Sequence, residues 1–299
     1  MKIIVPDSPA FDILEKHGAE LLRYSKGGSE TFDEADGVLF LLSTGEEQRR
    51  RLMATPGLKW VLSLTAGVDH LVPDLPQGVR LFNANPLHQR AVAVHVMAGL
   101  LSAARAMHLY RDAQREHQWR RFPGKMHTLK GQKVALWGYG HIGREIEQLL
   151  QPFGAEVLTV RSNMGEAARR DIRASADYIV LLLPSTPETR GSINAEFLRE
   201  MKEGAWLYSI GRGDSLVQDD LLAALQSGHL GGAILDVTEP EPLPADHPLW
   251  ALENVIITPH VGSATADLEE RAADHAGAFL QDMLQGKQPE GEIDTSRGY

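Results

Sequence analysis

The sequence predicts an α/β protein built on parallel sheets. Three observations carry this reading. Short apolar runs are near-continuous rather than alternating, amphipathic stretches separate them, and one run ends in a glycine-spaced turn. Continuous apolar runs are how strands covered on both faces read. Their alternation with helical patterns is the signature of parallel crossover units. The runs are Lys2–Val5, Val38–Leu42, Trp60–Leu64, Arg80–Asn83, Lys133–Trp137, Glu156–Val160, Tyr178–Leu183, Trp206–Ile210, Ala233–Leu235 and Val255–Thr258. Helical patterns cover 12–23, 46–54, 141–152, 165–174, 194–202 and 218–227.

The alternation breaks once. Residues 91–118 read as one long helix that separates a first set of strands from a second. A polar segment follows, Trp119–Gly131, with Pro123 and Gly124 inside it. The long helix is expected to leave one domain and enter another. The length of 299 residues agrees with two domains at roughly 150 residues each. A last helix over 264–285 follows the tenth run and is free to return to the first domain, and residues 286–299 read as a surface tail.

Composition excludes several functions. With 43% hydrophobic and 23% charged residues the chain has ordinary globular values, not those of a disordered or fibrous protein. There is no cysteine, so disulfides, thiolate metal sites and a cysteine nucleophile are ruled out. A net charge of −10 disfavours nucleic acid and anionic membrane as partners. The N-terminus turns polar after its first five residues, so no signal peptide is expected. No apolar run approaches the roughly 18 residues of a membrane helix, and the expected location is the cytoplasm. The twelve histidines form no HExxH or similarly spaced cluster, so no metal is expected.

The turn after Lys133–Trp137 carries Gly138, Gly140 and Gly143 in GxGxxG spacing. Following a strand and opening a helix, this spacing reads as a dinucleotide turn. Gly138 allows the tight turn, Gly140 lets a pyrophosphate approach, and Gly143 lets helix and strand pack closely. The helix start then offers N–H groups and its dipole to phosphate. The next strand ends in Arg161 and Ser162 rather than in a carboxylate. A carboxylate there would accept bonds from a ribose 2′-OH, whereas arginine pairs with a 2′-phosphate. NADP(H) is therefore expected to be preferred, with NAD(H) possible. The alternative is that Arg161 only stacks on the adenine or faces solvent.

The phrases TAGVDHL (65–71), LKGQKVALWGYGHIG (129–143), ADYIVLLLPSTPETRG (176–191), SIGRGD (209–214), GAILDVTEPEPLP (232–244), HPLW (247–250) and NVIITPHVGSAT (254–265) resemble the D-isomer-specific 2-hydroxyacid dehydrogenase family. Within it the chain is most similar to the glyoxylate/hydroxypyruvate reductases. The resemblance implies an Arg–Glu–His catalytic set, carried here by Arg212, Glu241 and His260, with Glu239 a rival for the glutamate. His260 would give or take the proton near neutral pH, Glu241 would favour its charged form, and Arg212 would hold the substrate carboxylate. It further implies cofactor contacts at His141, Ile142, Leu183, Pro184, Thr189, Ile210 and Gly211, with Asp236 facing the nicotinamide carboxamide. Main-chain N–H groups at Ala66, Gly67 and Val68 would meet the substrate carboxylate.

The resemblance implies two Rossmann-like or flavodoxin-like domains. The substrate domain is expected over 1–98 and 269–299, the NAD(P)-binding Rossmann domain over 99–268, and the active site in the cleft between them. The expected reaction is reduction of a small 2-oxoacid to the (R)-2-hydroxyacid by a homodimer. Alternatives are a lactate, phosphoglycerate or phosphonate type of dehydrogenase, or a non-catalytic NAD(P)-sensing protein similar to corepressors. One departure stands out: the linking helix reads AVAVH, with Val94 where the family often has glutamate. That puts in doubt a polar contact near the hinge.

Overall fold

The structure, a computed structural model, describes residues 1–295 except Leu42 and Asp69. Leu42 at the end of the expected run Val38–Leu42, Asp69 within TAGVDHL, and residues 296–299 of the expected tail lie outside the described residues. The strands are β1 Lys2–Pro6, β2 Glu20–Tyr24, β3 Gly37–Phe40, β4 Trp60–Ser63, β5 Arg80–Asn83, β6 Lys133–Trp137, β7 Glu156–Val160, β8 Tyr178–Leu181, β9 Trp206–Ser209, β10 Gly232–Leu235 and β11 Val255–Ile257. The helices are α1 Glu46–Met53, α2 Asn85–Ala104, α3 Met107–Arg115, α4 His141–Leu150, α5 Glu166–Ser175, α6 Ala195–Arg199, α7 Gln218–Gln226 and α8 Leu268–Leu284.

The chain divides into two units, Met1–His88 with Ala264–Tyr299, and Gln89–Ser263. The first holds a parallel sheet ordered β2-β1-β3-β4-β5, the order of flavodoxin-like folds. Its strands are buried on both faces because successive side chains point to opposite sides. Ile3, Val5, Leu39, Trp60, Leu62 and Phe82 enter one core with Ala272, Ala273, Ala276, Phe279 and Leu280 of α8. Ile4, Val38, Phe40, Val61 and Leu81 enter the other with Leu52 and Met53 of α1. Phe279 meets Trp60 and Phe82 edge-on, with ring centroids 5.0 and 4.9 Å apart.

The second unit holds a parallel sheet ordered β11-β10-β9-β8-β6-β7. Ala135, Ile179, Leu181, Leu207, Ala233 and Leu235 face one core. Val134, Leu136, Val180, Tyr208 and Ile234 face the other, against Val96, Met97 and Leu100 of α2. That packing accounts for the division after His88, ahead of the expected residue 98. From Val92 onward α2 is already committed to the core of the second sheet. Between β7 and β8, β6 stands at the topological switch point, where ligands gather in such sheets.

Three segments depart from the sequence reading. Residues 12–23 are not one helix: a 3₁₀ helix over Pro9–His17 stops at Gly18, whose φ of +82° suits glycine, and β2 then pairs with β1. As an edge strand with half-buried Leu21, Leu22 and Arg23, β2 lacks the apolar run that marks the others. The long helix over 91–118 is two helices, α2 and α3, bent by 69°. Ala106 between them has φ +52°, and the returning chain closes the end of α2 through His127 N–H on the Ala104 carbonyl at 2.9 Å. Among the described residues no single helix is long and apolar enough to cross a membrane; the α2–α3 pair passes only as a bent pair, by length and composition. The expected surface tail is partly structural. Asn83 N–H bonds Gly291 O, Ile293 N–H bonds Leu81 O, and Arg80 holds Glu292 through two bonds of 2.7 and 2.8 Å.

Candidate active site and dinucleotide turn

The loops after β9, β10 and β11 bring three charged side chains into one neighbourhood of the second unit. His260 follows β11 with φ +52°, a left-handed conformation uncommon outside glycine. Asp236, at the end of β10, accounts for it. The His260 N–H donates to the Asp236 carbonyl at 2.8 Å. Asp236 Oδ1 accepts from the Thr258 hydroxyl at 2.6 Å and the Val261 N–H at 3.0 Å, and Oδ2 accepts from the Gly262 N–H at 2.9 Å. Gly262 leaves room for this contact: a Cβ would lie 2.8 Å from Ile210 Cδ1 and 2.9 Å from Asp236 Oδ2. Burial pushes the Asp236 carboxyl up, but its bonds from His95, Thr258, Val261 and Gly262 prevail and hold it at about 2.

His260 Nδ1 lies 2.9 Å from Glu241 Oε2. The other oxygen, Oε1, accepts from the Thr238 N–H at 3.0 Å, so the carboxylate is fixed at both ends. Glu239 does not share this place: its main chain is held by Gln218 through bonds of 3.0 and 2.6 Å. The hydrogen bond to Glu241 raises the His260 imidazole above its ordinary value against the opposing effect of burial. Burial raises the Glu241 carboxyl, but His260, the Thr238 N–H and the charge of Arg212 bring it below its ordinary value.

Arg212 sits between two glycines with no room for a side chain. A Cβ at Gly211 would lie 2.5 Å from Leu183 O, and one at Gly213 would lie 2.0 Å from Thr238 O. The loops after β8, β9 and β10 are therefore stacked backbone to backbone. Arg212 Nη1 donates to Gly211 O at 2.9 Å, and its charge is felt by both Glu241 and His260. Sequence reasoning took Gly211 for a cofactor contact and gave Gly213 no part. The packing between loops, invisible in a linear motif, supplies a reason for each.

The dinucleotide turn lies after β6. Gly138 has φ +100°, and a Cβ there would lie 2.9 Å from Leu182 O. Gly143 is buried against Tyr139 and the Gly138 carbonyl, at 3.1 and 3.4 Å from the position of a Cβ. A Cβ at Gly140 would meet nothing within 4 Å. Gly140 caps α4 without a side chain, which leaves the N–H groups of His141, Ile142 and Gly143 without intrahelical acceptors. This open cradle, with donors and the positive end of a helix dipole at its floor, fits a pyrophosphate. Arg161 is exposed, with Cζ 4.7 Å above the Tyr139 ring, and Arg169 Nη2 pins the Ser162 carbonyl at 2.6 Å.

The remaining expected residues have plain placements. Leu183 and Pro184 follow β8, and the Thr189 hydroxyl donates to Pro184 O at 2.6 Å while accepting from Thr186 N–H at 2.9 Å. Ile210 is buried. In the first unit, Thr65 Oγ1 donates to Gly67 O at 2.7 Å and Asn83 Nδ2 to Ala66 O at 3.1 Å. These bonds hold the turn that carries Ala66, Gly67 and Val68. Val94 is half exposed, so an acid at its place would face solvent. Sequence reasoning gave no role to His95 or Thr258, which touch Asp236, or to Tyr139 beneath Arg161.

The chain is similar to known proteins in sequence and fold. The profile described as "D-isomer specific 2-hydroxyacid dehydrogenase, NAD binding domain" matches residues 97–262. A human protein named glyoxylate reductase/hydroxypyruvate reductase is 34% identical over 247 residues, 77% of this chain and 75% of its own. Glyoxylate/hydroxypyruvate reductase A of Serratia proteamaculans (strain 568) is 32% identical over 81% of this chain and 82% of its own. The crystal structure of an NADPH-dependent glyoxylate/hydroxypyruvate reductase from Sinorhizobium meliloti, in complex with NADP and sulfate, superimposes with a TM-score of 0.84 at 28% identity, covering 100% of this chain and 99% of that one. Two parallel sheets, a dinucleotide turn at the switch point and full-length relatives lead to one conclusion: the chain belongs to the D-isomer-specific 2-hydroxyacid dehydrogenases, NAD(P)-linked oxidoreductases acting on CH–OH donors.

Proposed function

We propose that this enzyme reduces glyoxylate to the achiral glycolate, or hydroxypyruvate to the (R)-2-hydroxyacid, and prefers NADPH to NADH. The observation that carries the reading is the 2.9 Å pair of His260 Nδ1 and Glu241 Oε2 within the field of Arg212. Reduction of a 2-oxoacid needs a hydride at the carbonyl carbon and a proton at its oxygen. The nicotinamide, when bound, supplies the hydride. His260 supplies the proton: Glu241 accepts from Nδ1–H, so Nε2 is the nitrogen that hands it over. Arg212 holds the substrate carboxylate with paired N–H donors and polarises the carbonyl. In the reverse direction His260 Nε2 takes the proton back.

Gly138, Gly140, His141, Ile142 and Gly143 hold the pyrophosphate in this reading. Arg161 and Ser162 meet the 2′-phosphate, and Leu183, Pro184, Thr189, Ile210, Gly211 and Asp236 line the rest of the dinucleotide site. Ala66, Gly67 and Val68 of the first unit offer main-chain N–H groups to a carboxylate. The substrate pair is supported by the names of the human and Serratia relatives, and the cofactor preference by the NADPH dependence of the Sinorhizobium protein. The reading includes a cytoplasmic homodimer. Trp119 and Phe122, 94% and 81% exposed, are the apolar side chains that a second copy would cover.

Initial rates of NADPH and NADH oxidation with glyoxylate, hydroxypyruvate, pyruvate and phenylpyruvate test the proposal. Fastest turnover is expected for NADPH with glyoxylate and hydroxypyruvate. Faster turnover with pyruvate or phenylpyruvate removes the substrate assignment, and equal or faster turnover with NADH removes the cofactor preference.

A further inference from the structure

A hydrogen-bond chain, buried at its Asp236 end, connects α2 to the loop that carries His260. His95 Nε2 lies 3.2 Å from Thr258 Oγ1 and 3.4 Å from Asp236 Oδ1. The Thr258 hydroxyl hydrogen is committed to Asp236 Oδ1 at 2.6 Å, so Thr258 Oγ1 meets His95 as an acceptor. The network therefore places a hydrogen on Nε2 of His95. Asp236 in turn takes the N–H groups of Val261 and Gly262 on its side chain and that of His260 on its carbonyl. Its carboxylate is 2% exposed. In such a site each donor counts, because an unpaired lone pair is not replaced by water.

The position of His95 is built in as well. The Tyr208 hydroxyl on β9 donates to the His95 carbonyl at 3.2 Å. The Tyr208 ring also fills the place of a side chain at Gly99, where a Cβ would lie 2.6 Å away. Thus α2 is seated on β9 at the level of Asp236, and the imidazole of His95 reaches the loop from the helix.

We propose that His95 is a positioning residue for the reaction: its Nε2–H locks the Thr258–Asp236 pair, and through that pair holds the left-handed His260 loop in register with Glu241. The proposal rests on the role of His260 given above. The charged groups around the His260 ring are Glu241, Arg212 and Asp236, and His95 acts on the ring only through the last of these and the loop it holds.

The test compares His95→Gln with His95→Asn. The glutamine amide nitrogen reaches about as far as Nε2, whereas the asparagine nitrogen reaches only as far as Nδ1. Two readouts are taken. The first is the titration of His260, followed by NMR of ¹³C-histidine-labelled protein without cofactor or substrate and assigned with His260→Asn. The second is kcat and KM with NADPH and glyoxylate. His95→Asn is expected to lower the His260 pKa and to cut kcat about tenfold, the scale of a modest misplacement of a reacting group. KM for glyoxylate should stay within about twofold, because uniform binding is not touched. His95→Gln should restore both readouts. A His260 titration unchanged in His95→Asn overturns the proposal, as does equal impairment in the two variants. If the wild-type protein fails to turn over glyoxylate, the functional reading falls, and the titration still decides the role of His95.

Discussion

His260 Nδ1 and Glu241 Oε2 are 2.9 Å apart, and both carboxylate oxygens of Glu241 are bound. This contact sets the pH range of reduction. The imidazole is raised by Glu241, and proton delivery needs the imidazolium. The rate should therefore be full below the His260 pKa and fall as pH rises through it. Glu241→Gln keeps the size of the side chain and removes its charge. The descending limb of kcat/KM should then begin at lower pH, with kcat near neutrality down by roughly 10²-fold, the usual scale for a general acid. A pH–rate profile superimposable on that of the wild type would remove Glu241 from its role.

The two kinds of glycine at the site should respond in opposite ways. At Gly213 a Cβ would lie 2.0 Å from the Thr238 carbonyl oxygen, with backbone on both sides. Gly213→Ala must push apart the loops that carry Arg212 and Glu241. A cost of about 1–3 kcal/mol is expected in urea unfolding, the range for overpacking, together with loss of kcat. At Gly140 a Cβ would meet nothing within 4 Å. Gly140→Ala should melt close to the wild type while losing affinity for NADPH measured by fluorescence titration. Equal melting temperatures for both variants would contradict the packing argument, and unchanged NADPH affinity in Gly140→Ala would contradict the cradle.

Much of this was legible in the sequence because it is local. Buried parallel strands announce themselves as continuous apolar runs, and Gly138, Gly140 and Gly143 lie on one turn. What escaped is tertiary. Nothing in ELLRY marks β2 as an edge strand, since its half-buried residues also fit a helical period. Ala106, the strongest helix former by propensity, takes φ +52° between two helices whose packing overrides it. His95 and Asp236 are 141 positions apart, so their contact is set by α2 lying on β9. Gly211 and Gly213 look like a flexible loop in sequence and prove to be places where three loops touch.

Arg161 stands over Tyr139, with Cζ 4.7 Å from the ring centre, and faces solvent at the end of β7. It meets no carboxylate among the contacts of the described residues, so a 2′-phosphate would be a new partner rather than a replacement for an old one. Arg161→Ala should weaken NADPH binding about tenfold, as expected for one lost charge-assisted bond of roughly 1.5 kcal/mol, and leave NADH binding nearly unchanged. Dissociation constants for the two cofactors provide the check. Equal weakening of both would mean that Arg161 contacts the adenine or ribose instead.

Arg173 tests the scaffold behind the cofactor turn. It is 7% exposed and bonds Glu166 at 2.6 Å and Glu200 at 2.8 Å. Its guanidinium also lies 4.6 Å from the Phe197 ring centre and 5.7 Å from that of Trp137, so it joins α5, α6 and β6. Arg173→Ala removes that packing and takes one of two cations from Glu200, whose side chain is only 18% exposed and which keeps Arg170 Nε at 3.0 Å on its other oxygen. A loss of about 3 kcal/mol in urea unfolding is expected, the low end for breaking a buried pair. The double variant Arg173→Met/Glu200→Met replaces the pair by apolar side chains and should recover most of that loss, because the two charges it releases, Glu166 and Arg170, are more than half exposed and stay solvated. If the double variant is as unstable as Arg173→Ala, Arg173 contributes through Glu166 or through its aromatic contacts rather than by neutralising Glu200.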